Sequence, residues 1–269
     1  MKSACFSKSE YGIFATYNAT ITSYSDNTKK IVYHSYKSIK GIQRDKDKKS
    51  GGHCSEEEKE RYKYLNLLRT KQTIIDYAKE NGCIIPWDYF VTLTFDKEVV
   101  GDRDNYDICC NYLKKWINNQ KHQNPNMEYL FVVEKHKTKG FHFHGIVKNV
   151  TNWRLSKAIN PYTGKQIRQN GCLIYNLDNY KLGFTTISKV KNQDAVSVYI
   201  SKYITKELID IKNKKRYWCS KSLKLPKVEY YESDLDELKN YISNYNITYE
   251  KVEDNKNFIT AYYSLKEEN

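Results

Sequence analysis

The 269-residue chain has no CxxC pair, only four prolines and eleven glycines, and no apolar run longer than a few residues. Each shortage excludes something. Its seven cysteines (5, 54, 83, 109, 110, 172 and 219) are odd in number and lack framework spacing. That argues against a disulfide scaffold or zinc ribbon and for free thiols in a reducing compartment. So little glycine and proline rules out collagenous or low-complexity chains. A membrane span needs about 20 consecutive apolar residues, whereas stretches such as Phe131-Val132-Val133 stop after three. Met1 to Glu10 has no apolar run that could serve as a signal peptide. A soluble, cytoplasmic protein is expected. No GxxxxGK[ST] occurs, since Gly164-Lys165 lacks the upstream glycine, so no nucleotide-driven helicase of the usual kind is fused here and no nucleotide cofactor is expected.

What is abundant is tyrosine and positive charge. There are 25 Tyr, and 45 Lys+Arg against 32 Asp+Glu give a formal charge of +13. The apolar fraction is only 39%, but tyrosine can bury its ring while keeping its hydroxyl wet, so a folded chain is still expected. Residues 226–269 carry a net −5 and residues 1–225 therefore +18. A basic body with interleaved tyrosines suits a polyanion whose bases stack and whose phosphates are gripped. A merely solvated basic surface would give the same charge.

Residues 11–37 read as a hairpin around Ser25-Asp-Asn-Thr28, and Ile39 to Gly52 as a mobile loop. Ser55-Glu-Glu-Glu58 begins a helix that runs toward Asn81-Gly82, with Leu65, Leu68, Ile75 and Ala78 as its buried stripe and Gly82 as its stop. Strands follow at 90–95, 128–134, 141–147 and 184–190, with helices at 105–121 and 193–210, a loop-rich stretch at 148–181 and a last hairpin over 247–265. The expected class is α+β, a central antiparallel sheet with helices packed mainly on one face. The chain divides into an N-terminal hairpin and loop (1–55), a main domain (56–226) and an acidic C-terminal extension with a hairpin (227–269).

Two constellations carry chemistry. His142 and His144 are two apart on a strand, so both imidazoles leave one face, while Phe141, Phe143 and Val147 leave the other. A lone strand histidine is usually structural; a pair sharing a face can grip one ion. Glu134, ending Phe131-Val132-Val133, is the expected third ligand, and His136, of the same parity, is the alternative. Packing gives little reason for a charge there, although pairing with Lys135 or Lys137 would account for it. Two imidazoles and a carboxylate with open positions suit Mn²⁺ or Mg²⁺ on a phosphate.

The second constellation is Tyr199-Ile-Ser-Lys-Tyr-Ile-Thr-Lys206. On a helix, Tyr199, Lys202, Tyr203 and Lys206 share one face, and Ile200, Ile204, Leu208 and Ile211 share the other. A solvated basic stripe would also look like this. Beside a metal, a phenol with a pKa near 10 could attack a phosphodiester, with Lys202 or Lys206 lowering its pKa or neutralising the transition state. The product would be a 5′-phosphotyrosine link and a free 3′-OH.

In order and spacing, Phe90-Val-Thr-Leu-Thr-Phe-Asp96, Phe141-His-Phe-His-Gly-Ile146 and Tyr199 to Lys206 resemble motifs 1, 2 and 3 of the HUH endonuclease superfamily, most closely the two-tyrosine rolling-circle replication initiators of small phages and plasmids. The resemblance covers about residues 60–226. It implies a metal on His142, His144 and Glu134 and a nucleophile at Tyr199 or Tyr203, the pair alternating between nicks. Thr92, Thr94 and Asp96 take scaffold or DNA-positioning roles. It also implies single-stranded DNA at a replication origin as substrate, with host helicase and polymerase as partners and no membrane. Two rivals use the same residues: a transposase or mobilisation relaxase, the latter usually carrying a third histidine where Gly145-Ile-Val147 stands here, and a non-catalytic origin-binding or repressor protein.

Overall fold

The computed structural model describes residues 1–4, 7–9, 12–41, 55–136, 140–205, 214–255 and 258–267. Its elements begin with strands β1 (Lys2–Ser3), β2 (Ser7–Ser9), β3 (Gly12–Ser23) and β4 (Thr28–Gly41). Then come α1 (Glu56–Ile84), β5 (Tyr89–Phe95), α2 (Lys97–Val100), α3 (Tyr106–Gln123), β6 (Glu128–His136) and β7 (Gly140–Lys148). The short strands β8 (Leu155–Lys157), β9 (Arg168–Gln169), β10 (Cys172–Leu173) and β11 (Tyr175–Leu177) lead to β12 (Gly183–Lys189), α4 (Gln193–Ser201) and β13 (Tyr217–Cys219). The chain ends with β14 (Lys227–Glu232), α5 (Leu235–Ile242), β15 (Asn246–Asn255) and β16 (Phe258–Lys266). The class is α+β with large antiparallel sheets, as expected. No helix among the described residues is long and apolar enough to cross a membrane. Five of the cysteines (83, 109, 110, 172 and 219) are free thiols.

Two compact units form, one from residues 55–225 and the other from 1–54 together with 226–269. The two flanks, read separately in the sequence, thus share one seven-stranded sheet of order β1-β14-β3-β4-β16-β15, with β2 on β3. Its Ala19, Ile31, Tyr33, Ala261 and Leu265 bury against Leu238 and Ile242 of α5. The acidic C-terminal stretch is therefore not a separate tail. Pooled with residues 1–54 it makes a nearly neutral unit of 15 basic and 14 acidic residues, leaving 30 basic against 18 acidic in residues 55–225. The expected loop at 39–52 lies largely outside the described residues, though β4 reaches Gly41.

The 55–225 unit is built on a second seven-stranded sheet, β13-β6-β7-β5-β12-β11-β8. Ser55 starts α1 with a capping box to Glu58, so the polar side chain satisfies an otherwise orphaned amide. The buried stripe of α1 is Leu67, Ile74, Ala78 and Asn81, not Leu65, Leu68 and Ile75. Leu67-Leu68 and Ile74-Ile75 are apolar doublets, and a 3.6-residue repeat fits either member until packing selects one. Nor does Gly82 stop the helix, which continues to Ile84; it makes room for the Trp87 ring, whose Cδ1 would stand 2.9 Å from an added Cβ. In α3, Asn105 caps the amides of Asp107 and Ile108, and Cys109, Leu113, Trp116 and Ile117 are buried as the periodicity predicts.

Helices cover both faces of this sheet, which corrects the one-face expectation. From α3, Tyr112 meets Phe95 and Trp116 meets Phe131 on the face of Phe143. On the other face, Tyr77 of α1 lies by Tyr217, and Tyr199 of α4 by Phe90. Two long helices cannot crowd onto one side when strands β5, β6 and β7 are apolar on both. Gly145 has a packing role between them: a Cβ there would enter the Phe131 ring, which lies flat across β7.

A buried lysine anchors α1 to this sheet. Lys148 donates to the carbonyls of Asn81 (2.8 Å) and Ile85 (3.0 Å), where the helix end leaves acceptors unsatisfied, and pairs with Glu128 at 3.1 Å. Its Nζ also lies 4.8 Å from the centroid of Trp87. The Lys148→Met variant keeps the stem but strands these acceptors. We expect a loss of about 3 kcal/mol in urea unfolding, the low end for a broken buried pair, because the Glu128 side chain retains 20% exposure. A loss below about 1 kcal/mol, typical of surface pairs, would show that the network contributes little.

Candidate active site

Strand register assembles the site. Pairing of β5, β7 and β6 sets Thr94 opposite His142 and Thr92 opposite His144, with Glu134 opposite His142 on the other side. All five side chains therefore share one face. Thr92 Oγ1 lies 3.0 Å from His144 Nδ1, and Thr94 Oγ1 lies 3.4 Å from His142 Nδ1. Each threonine occupies the Nδ1 side of its imidazole and leaves Nε2 to the shared space. Asp96, by contrast, caps α2 through the amide of Glu98.

His144 Nε2 is 2.8 Å from Glu134 Oε2. Burial lowers the His144 pKa below its ordinary value and holds the ring neutral, and the hydrogen bond from His144 lowers that of Glu134. In this state Nε2–H donates to the carboxylate and Nδ1 accepts from the Thr92 hydroxyl. Neutral imidazoles and an ionised carboxylate are the forms that bind metal. Two donors about 2.1 Å from one octahedral ion stand about 3.0 Å apart, so the Glu134–His144 separation suits two adjacent ligand positions. Among the described residues, however, no three His, Cys, Asp or Glu side chains close into a preformed cage. His136 faces the far side of His142, with ring centroids 5.7 Å apart, away from His144.

The tyrosines complete the cleft. Helix α4 starts at the Asn192 cap and is fixed to the end of α1 by Gln193, which accepts from the Trp87 amide at 3.0 Å and donates to its carbonyl at 3.2 Å. It ends at Ser201, well short of the expected residue 210. The backbone winds on through tight turns, with Lys202 N to Tyr199 O at 3.1 Å and Ile204 N to Ser201 O at 3.2 Å. That winding buries Ile200 and Ile204 together and keeps Tyr203 beside Tyr199. The Tyr203 hydroxyl donates to the Tyr199 oxygen at 2.9 Å, and its ring stacks on His144 with centroids 3.4 Å apart. Burial, with the Tyr199 contact, raises the Tyr203 pKa and keeps that phenol protonated. Lys202 is exposed, its Nζ 5.2 Å from the Tyr199 ring centroid. Lys206, with Leu208 and Ile211, lies outside the described residues.

The sequence reading did not include Phe90, whose ring packs edge-on to Tyr199 at 5.3 Å and alongside Tyr203 at 6.0 Å. Nor did it include the cleft's far wall, of Gln169, Asn170, Lys189, Lys191 and Asn192 around a volume of about 740 Å³. Phe90 shares parity with Thr92 and Thr94, the one signal that could have placed it; the wall depends on loops with no periodic pattern. The cleft thus gathers two oriented imidazoles, a carboxylate and two phenols within reach of lysines.

Residues 88–208, which span every one of these groups from Phe90 to Tyr203, match the model of the replication-associated protein ORF2 family. The match supports a replication initiator. No curated protein and no solved structure gives a significant match to the chain.

Proposed function

We propose that this protein is a metal-dependent, sequence-specific single-stranded DNA nicking and joining enzyme of the HUH class, acting through a 5′-phosphotyrosine to initiate rolling-circle replication of a small circular replicon. The carrying observation is the cleft itself: a threonine-oriented histidine pair and Glu134 share it with two hydrogen-bonded phenols. A scaffold protein has no use for both sets in one place.

Mn²⁺ or Mg²⁺ held by His142, His144 and Glu134 would polarise the scissile phosphate and offset charge in the in-line transition state. The chain's own groups do the rest. The Tyr199 oxygen attacks phosphorus while the P–O3′ bond breaks; the phenol proton is lost to solvent and the departing 3′ oxygen gains one, leaving a 3′-OH. Tyr203, donating to the Tyr199 oxygen, stabilises the charge that develops there. Lys202 adds a nearby cation, and Phe90 with the Tyr203 ring offers a stacking surface for a base. Attack by a 3′-OH on the phosphotyrosine reverses the step and joins strands.

Thr92 and Thr94 act as holders of the imidazoles, since a hydroxyl can accept from Nδ1–H once Nε2 turns its lone pair to a metal. The Thr92→Val/Thr94→Val variant is expected to bind Mn²⁺ about 10- to 100-fold more weakly by calorimetry with its melting transition kept. Unchanged affinity would remove this role. The function itself is tested with single-stranded DNA of the replicon that encodes the protein. The wild type should form a Mn²⁺-dependent adduct, abolished by EDTA, that mass spectrometry maps to the Tyr199 peptide. Sequence-selective binding without any adduct would favour a non-catalytic origin binder.

A further inference from the structure

The sheet of the other unit has two unlike faces. In register, Ala19, Tyr33 and Ala261 point one way and are buried under α5. The alternate row, Tyr230, Thr20, Val32, Tyr262 and Lys251, points the other way across five strands. No helix among the described residues of this unit packs on that second face, yet it is rich in rings. His34 stacks on Tyr36 at 4.9 Å, and Tyr36 meets Phe258 at 5.6 Å. Tyr230 packs with Tyr17 at 4.8 Å. Tyr36, Tyr249 and Phe258 are 46%, 52% and 40% exposed.

Lysines are set among these rings. Lys40 Nζ lies 5.1 Å from the Tyr230 centroid. Lys30 and Lys251 line, with Tyr249 and Tyr262, a depression of about 290 Å³. The carboxylates here, Glu253 and Glu232, are ion-paired to Lys251 at 2.5 Å and Lys37 at 3.1 Å. A face kept only for solvent would not expose so many rings along adjacent strands. Rings spaced over an antiparallel sheet with cations between them fit successive unpaired bases and their phosphates.

We propose that this open sheet face is a second binding surface for single-stranded DNA, separate from the catalytic cleft. Tyr36, Tyr249 and Phe258 stack bases, and Lys30, Lys40 and Lys251 neutralise the backbone between them. It takes DNA because the remainder of the chain matches a replication-associated family. The surface would hold strand regardless of sequence, since every base has a π-face, and its binding would weaken as salt rises. The proposal does not depend on nicking.

The test uses the full chain in EDTA, which keeps any strand intact, with fluorescent oligo-dT as probe. Ultraviolet crosslinking followed by peptide mapping should place thymidine on peptides containing Tyr36, Tyr249 or Phe258. The Tyr36→Ala/Tyr249→Ala/Phe258→Ala variant should lose those crosslinks and bind at least about tenfold more weakly by anisotropy, the scale of one lost stacking contact. The Tyr36→Phe/Tyr249→Phe variant, which keeps every ring, should bind as the wild type does. Crosslinks confined to residues 55–225, or unchanged affinity in the alanine variant, would overturn the proposal. So would tighter binding of oligo-U than oligo-dT, or an alanine variant that changes only the sedimentation of the protein, which would assign the face to RNA or to a second copy.

Discussion

The Tyr199→Phe variant is expected to lose covalent capture of a nicked strand by about 1,000-fold or more, as when a nucleophile is deleted. The Tyr203→Phe variant should still form the adduct on Tyr199 but about 100-fold more slowly, the scale of losing one donor to a developing oxyanion. The asymmetry follows from the direction of one hydrogen bond. Tyr203 donates to the Tyr199 oxygen, so negative charge arising on Tyr199 has a donor in place. Charge arising on Tyr203 has none from its neighbour and meets burial and Glu134 instead, which raise its pKa. Once Tyr199 is esterified its oxygen is a poorer acceptor, and Tyr203 is released for a second step. Quench-flow with adduct mapping measures this. Equal capture rates in both variants would mean that the phenols are interchangeable from the start.

The second large effect is at His144. The His144→Ala variant should lose Mn²⁺-dependent capture by about 1,000-fold or more, comparable to removal of another essential catalytic group. Added metal should not restore it, because three contacts go together. Nε2 no longer faces Glu134, Nδ1 no longer meets Thr92, and the Tyr203 ring loses its stacking partner. Calorimetry separates these causes: weaker Mn²⁺ binding tracks the ligand, whereas normal Mn²⁺ binding with lost capture would track a misplaced tyrosine. Metal-dependent capture that persists in this variant would sink the ligand assignment.

Much of the site was legible because strand parity is a local rule. His142 and His144 had to share a face, and a tight hairpin had to return Glu134 to it. The threonines' part needed the register between β5 and β7, which no local pattern states. Helix α3 was legible because its apolar residues fit one phase only, while the doublets in α1 fit two. The end of α4 was not, since Ile204, Leu208 and Ile211 continue the helical period past Ser201. The least legible feature was the sheet shared by the flanks. Pairing of β4 with β16 joins residues far apart in sequence, and neither strand carries a mark of its partner.

That pairing also sets an order of events on the ribosome. β3 and β4 emerge first, but β14 and β16, their neighbours in the sheet, follow roughly 200 residues later, about 10–40 s at common synthesis rates. Through that interval residues 55–225 can complete their own core while the β3–β4 hairpin waits with open edges. A hairpin alone is marginal in water, and unpaired edges invite pairing with other chains. Chaperone demand during synthesis should therefore concentrate on the first 41 residues and end when the last strand docks.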